Sequence, residues 1–195
     1  VCEDLRTTHK TIDGVFNNAG IIQPFIPFNE LDEEAIRHVM DVNFFGLVLL
    51  TKALLPTLLS RPEAHIVNTS SMGGFLPVPG QTIYGASKAA VKLFTEGLFA
   101  ELTDTKVHVT LIFPGAIETN ITSNSGIEIP TSADGKSYKM LSATDAAAQI
   151  LKAVERNKYH AYIGRDAWFM NILTRLNPLY ANRMISKQMK SLLKN

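Results

Sequence analysis

The sequence predicts an α/β protein built on a doubly wound parallel sheet, and three observations predict it. Short runs rich in apolar and β-branched residues, at 12–16, 65–70, 107–113 and 159–163, have the length of buried strands. Longer segments with apolar residues at helical spacing alternate with them. The first three runs end in clusters of Gly, Asn, Ser or Pro, and the fourth ends at Gly164. Strands alternating with helices of this length imply parallel strands covered by helices on both faces. Ligands in such sheets sit at the carboxyl ends of the strands.

In chain order, residues 12–16 read as a strand that turns at Asn17-Asn18-Ala19-Gly20. Asp32-Glu33-Glu34 open a helix, since acids favour a helix N-terminus. Ile36, Val39, Met40, Asn43, Phe44, Leu47, Leu50 and Leu54 carry it on, and Pro56 is expected to kink or shorten it. Residues 65–70 form the next strand, closed by Met72-Gly73-Gly74 and a loop with Pro77, Pro79 and Gly80. A helix over about 81–102 has Gly85, Ala86, Ser87, Ala89 and Ala90 near its start, small enough for another backbone to approach. Residues 107–113 are a third strand, ending at Pro114-Gly115. Polar residues 120–139, punctuated by Gly and Pro, read as a mobile loop or lid. Thr144-Asp145 cap a helix to about Arg156, and 159–163 form the fourth strand. The tail from Asp166 contains Trp168, Phe169, Met170, Ile172 and Leu173, and breaks at Asn177-Pro178.

Composition narrows the function classes. The chain has 195 residues, 46% hydrophobic and 19% charged, the profile of one globular domain or a large part of one. A net charge of +1 argues against nucleic acid as the main partner. The one cysteine, Cys2, excludes an internal disulfide and a Cys-based zinc site, and fits a reducing cytoplasm. His9, His38, His65, His108 and His160 show no metal-ligand spacing. The apolar stretch 44–59, interrupted by Lys52 and Pro56, reads as too short and broken for a transmembrane helix, and the polar N-terminus shows no signal peptide.

The residues that point to chemistry are Tyr84 and Lys88. Four apart at the start of a helix, they share one face. A phenol has a free pKa of about 10, and a nearby ammonium favours the phenolate. Such a tyrosine can exchange a proton with an alcohol or carbonyl oxygen near neutral pH. Ser71, at the end of a neighbouring strand, is placed to hydrogen-bond the same oxygen. Taken singly, each feature has a plainer reading: a helix pair, turn chemistry after a strand, a satisfied core amide at Asn43, an ordinary turn at Asn17 to Gly20.

Taken together they resemble one family. Asn17-Asn18-Ala19-Gly20, Asn43 within DVNFFG, Ser71 within IVNTSS, Tyr84-Gly85-Ala86-Ser87-Lys88, and Pro114-Gly115 followed by Thr119 resemble the short-chain dehydrogenases/reductases over nearly the full length. Ser71 also precedes Tyr84 by the family's usual thirteen residues. The resemblance implies a Rossmann-like domain over residues 1–195, with a substrate loop at about 120–140 and a tail at about 166–195. It implies NAD or NADP as cofactor and a small carbonyl or alcohol substrate. Tyr84 would be the acid/base, and Lys88 would lower its pKa and bond the nicotinamide ribose. Ser71 would polarise the substrate oxygen, and Asn43 would hold a water linking Lys88 to solvent. Asn17, Ala19 and Gly20 would line the adenosine-ribose side and support the central strand. Pro114, Gly115 and Thr119 would flank the nicotinamide. A homodimer or homotetramer is implied, with the Tyr84 helix at the interface; Gly97, Phe94 and Leu98 suit that surface or ordinary core packing.

The sequence also departs from the family pattern. It has no Thr-Gly-x-x-x-Gly-x-Gly turn, whose backbone N–H groups would cradle the pyrophosphate. The resemblance therefore implies only the C-terminal portion of the fold, with the first three strands absent and weak dinucleotide binding by these residues alone. Other readings stay open: a catalytically silent interaction protein on the same fold, or an epimerase or dehydratase, which also use Tyr-x-x-x-Lys but carry longer C-terminal domains. Phe75, Leu76, Val78 and Ile83 suggest an apolar substrate pocket, or core or dimer packing. After Asp166 come Arg175, Arg183, Lys187, Lys190 and Lys194 with no acid, interleaved with Ile185, Met189, Leu192 and Leu193. That pattern fits an amphipathic helix on an anionic membrane, and fits more simply a solvated tail helix packed on the domain or a neighbour.

Overall fold

The computed structural model describes residues 5, 7–9, 11–127 and 140–189. Strands β1 (Gly14–Asn17), β2 (Ala64–Thr69), β3 (Val107–Pro114) and β4 (His160–Ile163) form one sheet in the order β1-β2-β3-β4, every pair parallel. The helices are α1 (Glu33–Met40), α2 (Gly46–Leu59), α3 (Thr82–Glu101), the single turn α4 (Ile121–Asn124), α5 (Ala143–Val154), α6 (Arg165–Leu176) and α7 (Pro178–Met189). Cys2, loop residues 128–139 and tail residues 190–195, with Lys190, Leu192, Leu193 and Lys194, lie outside the described residues.

Alternation along the strands sorts the core into two faces. Val15, Ile66 and Val109 point to one face and meet Leu54 and Leu58 of α2 and Leu98 of α3. Val67 and Ile112 point to the other and meet Ala146, Ala153 and Val154 of α5. Helices thus cover both faces, the doubly wound Rossmann-like arrangement. Leu98 and Phe94, weighed as interface residues, pack with the core instead.

Asp32 caps α1, its carboxylate accepting from the Ala35 N–H at 2.6 Å. A π turn, Asp41–Phe45, joins α1 to α2, so that Glu33 to Leu59 is one continuous helix. It is long and apolar enough to span a bilayer by length and composition, unlike the shorter stretch read from sequence. Its Leu47, Thr51, Leu54 and Leu58 nevertheless face the protein interior. Pro56 does not end it, since the helix runs on to Leu59. The proline and Lys52, whose carbonyl it displaces, lie on the exposed side, where that carbonyl can turn to water. The cap of α5 is also displaced from expectation: Ser142, not Thr144-Asp145, accepts from the Asp145 N–H at 3.0 Å.

A seam of buried amides and hydroxyls ties the sheet to both helices on one face. Asn17 and Asn68 are cross-strand partners. Asn17 Nδ2 donates to Asn68 Oδ1 at 2.7 Å and to Thr51 Oγ1 of α2 at 3.0 Å. Asn68 Nδ2 donates to Thr95 Oγ1 of α3 at 2.9 Å. Asn17, Asn68, Thr51 and Thr95 are all buried. Removing one member strands the polar atoms of its partners without water. We expect Asn68→Ala to lower stability by about 2–4 kcal/mol, read as a fall in denaturation midpoint at unchanged slope. A loss below about 1 kcal/mol would show the seam to be dispensable.

Candidate active site

A cleft of about 590 Å³ opens at the carboxyl ends of the strands. It gathers Ala19 and Gly20 after β1, Ser71 after β2, Tyr84 and Lys88 of α3, and Pro114, Gly115 and Thr119 after β3. Two residues from the same sequence reading are not on its wall. Asn17 is spent on the buried seam. Asn43 lies buried behind the cleft, where Oδ1 accepts from the Ile21 N–H at 2.8 Å and Nδ2 donates to Ile21 O and Ser87 Oγ. Its side chain therefore clamps the chain leaving β1 against α3.

The start of α3 is held from a distance. Its N-cap, Gln81, makes no side-chain capping bond. Gln23, fully buried, does the work: its Oε1 accepts from the N–H groups of Ile83 at 2.7 Å and Tyr84 at 3.0 Å. Its carbonyl accepts from Gln81 Nε2 at 2.6 Å. A side chain some sixty residues upstream thus satisfies the orphan donors that fix Tyr84's backbone. On the other side, a Cβ on Gly74 would sit 2.7 Å from Ser70 Oγ and 2.9 Å from the Lys88 carbonyl, so only glycine lets α3 close on the exit of β2.

Within the cleft, Ser71 Oγ accepts from the Gly73 N–H at 3.0 Å, which leaves its own proton to donate. That hydroxyl, beside the Tyr84 phenol, pulls its pKa down, but burial pushes it up by more. The net direction is upward, opposite to the lowering expected from Lys88. The reason is distance and competition. Lys88 Nζ stands 6.0 Å from the Tyr84 ring centre and donates to the Thr69 carbonyl at 3.0 Å. In this arrangement Tyr84 is a neutral phenol, a proton donor. Burial in turn depresses Lys88 to about 8. A Cβ on Gly20 would fall 3.1 Å from Nζ, so the ammonium lies in tight contact with the chain leaving β1.

Residues given no role by the sequence also shape the cleft, on its wall or just behind it. Asn18 Oδ1 accepts from Thr69 Oγ1 at 3.1 Å on one wall. Asp166, at the start of α6, accepts from the Ala116 N–H at 2.7 Å and braces the turn after β3. Ala143, Ala146, Ala147 and Ile150 present one face of α5, with Ile117, Ile121 and Met140 beside them. Their helical spacing is visible in the sequence; the contacts of Gln23 and Asp166 have no local signature. Phe75, Leu76, Val78 and Ile83 are not on this wall. Leu76 is buried against Met170 and Ala181, and Phe75 packs on Phe113 and Tyr162.

The family model for short chain dehydrogenases matches residues 1–129. The chain belongs to the short-chain dehydrogenase family. It is 39% identical over 156 residues to rat dehydrogenase/reductase SDR family member 7B, covering 75% of this chain and 46% of that protein. It is 32% identical over 189 residues to the putative oxidoreductase SadH of Mycobacterium tuberculosis, covering 90% of this chain and 66% of that one. The chain therefore spans about half to two thirds of these relatives. A short-chain dehydrogenase from Burkholderia cenocepacia, solved with NADP, superposes with a TM-score of 0.80 at 27% identity over 94% of this chain and 73% of that one.

Two expectations follow from this geometry. Gln23→Ala should cost about 1–3 kcal/mol in denaturant unfolding, because the first turn of α3 loses its acceptor; a cost near zero would show another group caps it. Lys88→Met should stabilise the protein at pH 7. Below about pH 8 the folded state bears the full cost of a buried charge. Between 8 and 10.5 the unfolded chain keeps a proton that the folded chain has shed, so wild-type stability rises with pH. The gain in Lys88→Met should be about 1–3 kcal/mol at pH 7 and shrink toward pH 10, read by thermal melts; a loss at pH 7 would contradict it.

Proposed function

We propose that this cleft is the active site of an NAD(P)-dependent oxidoreductase that interconverts a secondary alcohol and a ketone. The observation that carries the proposal is the meeting of Ser71, Tyr84 and Lys88 on one cleft wall at the strand ends. In ketone reduction Tyr84 donates its proton to the substrate oxygen, and Ser71 holds that oxygen for the transfer. Alcohol oxidation runs the transfer in reverse: Tyr84 must first be deprotonated, and its phenolate oxygen then receives the alcohol's proton.

The residues present fit the nicotinamide end of the cofactor. Among the described residues, Thr69 O is the one hydrogen-bond acceptor of Lys88 Nζ, and an ammonium has three protons. Two remain for the hydroxyls of a ribose at the cleft. When bound, the nicotinamide supplies hydride exchange at the substrate carbon. Pro114, Gly115 and Thr119 would flank its ring, and Ala19 and Gly20 the adenosine side. For Asn43 we keep the water-relay role that the resemblance implies. Its two amide protons are committed, so Oδ1 or the main-chain carbonyl would hold the water. The apolar wall from Ile117 to Ile150 suits an apolar substituent on the ketone. We further propose a homo-oligomer that covers Phe45 of the π turn, Leu49 of α2 and Leu93 of α3, all exposed.

In the gene product that carries this chain, Tyr84→Phe should lower kcat/KM for NADH- or NADPH-dependent ketone reduction by about 100- to 10,000-fold while nucleotide binding persists. Ser71→Ala should cost about 100-fold. Tyr84→Phe with more than about a tenth of wild-type activity would overturn the assignment.

A further inference from the structure

Helices α6 and α7 form a hairpin at the β4 edge of the sheet, the edge opposite β1. Their inner faces are settled. Ala167 and Met170 of α6 and Ala181 of α7 are buried, with Leu173, Met184 and Ile185 packed against them and Leu76. Ile185, which the sequence pattern offers as a lipid-facing residue, therefore turns inward.

The outer face is unlike an ordinary solvated surface. On α6, Arg165, Trp168, Phe169, Ile172 and Leu176 recur at helical spacing along the side away from Ala167 and Met170. Trp168 is 58% exposed, Phe169 54% and Leu176 80%. The chain then continues into Leu179 and Tyr180, also more than half exposed. Scattered exposed apolar side chains are common, but a contiguous run with two aromatics marks a contact surface.

Charge says what the surface contacts. From residue 165 to the end the sequence has one acid, Asp166; it is exposed, and its carboxylate accepts from the Ala116 N–H after β3. Arg165, Arg175, Arg183 and Lys187 are exposed around the apolar stripe. Bulky aromatics flanked by Arg and Lys, with a single acid, are complementary to the headgroup layer of an anionic bilayer. A second copy of this chain would bring like charges together on this face. We propose that the outer face of the α6–α7 hairpin docks on an anionic phospholipid surface. Asp166 links the start of α6 to the turn after β3, so the docked face adjoins the cleft wall at Ala116. The proposal stands apart from the chemistry proposed above.

Trp168 is the one tryptophan of the sequence and reports directly. Purified protein is mixed with vesicles of phosphatidylcholine alone, or with about 30 mol% phosphatidylserine, and followed by co-sedimentation and Trp168 fluorescence. The expected result is partition onto the serine-containing vesicles with a blue shift, weakening as salt rises. Arg183→Glu with Lys187→Glu should lower that partition about 30-fold or more. Phe169→Ser with Leu176→Ser should lower it at least about tenfold with unchanged melting, since both side chains are exposed. Absence of partition at low salt, or partition that neither pair of substitutions alters, overturns the proposal. So does a blue shift that follows protein concentration without vesicles, with a doubled mass in sedimentation, because the face would then belong to a second copy.

Discussion

Everything in the cleft depends on how α3 is anchored, and it is anchored by buried amides. Asn68 bonds Thr95, Asn43 bonds Ser87, and Gln23 accepts from the first turn at Ile83 and Tyr84. Apolar packing alone lets a helix slide or rotate by a fraction of an ångström at little cost. A buried amide does not, because a displaced partner leaves an unsatisfied donor or acceptor in a dry interior. Three such bonds along one helix fix its rotation and its axial position. Tyr84 and Lys88, one turn apart on that helix, inherit the placement.

That placement works against stability. Lys88 is an ammonium buried at the sheet edge, with a carbonyl and no carboxylate bonded to its Nζ among the described residues. Burial alone depresses its pKa to about 8, which measures how poorly the site solvates the charge. A core evolved for stability would hold an apolar side chain there. The local rule is broken where a ligand hydroxyl could complete the ammonium's bonding, the pattern expected of functional sites. The π turn at Asp41–Phe45 belongs with it. It shifts one helix out of α register where Asn43 must reach both Ile21 and Ser87, and π turns recur at such places.

Several features were legible before the fold was known, for one physical reason: they are local. Apolar runs placed the four strands, and 3.6-residue spacing placed α3 and α5, to within about two residues, since burial is written into consecutive residues. The grouping of Ser71, Tyr84 and Lys88 followed from strand ends and helix spacing. The misreadings share the opposite character. Pro56, expected to kink or shorten its helix, is accommodated within it, because its effect depends on whether the displaced carbonyl meets solvent. The seam that Asn17 makes with Asn68 and Thr51 has no local signature, because those partners are distant in sequence. The phenol of Tyr84 was expected to be lowered because spacing puts Lys88 near it, but spacing does not report burial.

By itself, then, the sequence determined the parallel α/β class, the order of its elements, the one-turn pairing of Tyr84 with Lys88, and a C-terminal segment that is basic beyond Asp166. These rest on periodicity, spacing and composition, which neighbouring residues carry alone. Only the tertiary structure decided the resting state of Tyr84, the service of Gln23 as the cap of α3, the bond of Asp166 to the turn after β3, and the inward turn of Ile185 that leaves an aromatic, basic face outside. Desolvation, capping from a distance and the choice of which helix face is covered are sums over groups far apart in the chain. They acquire values only when the chain has closed around them.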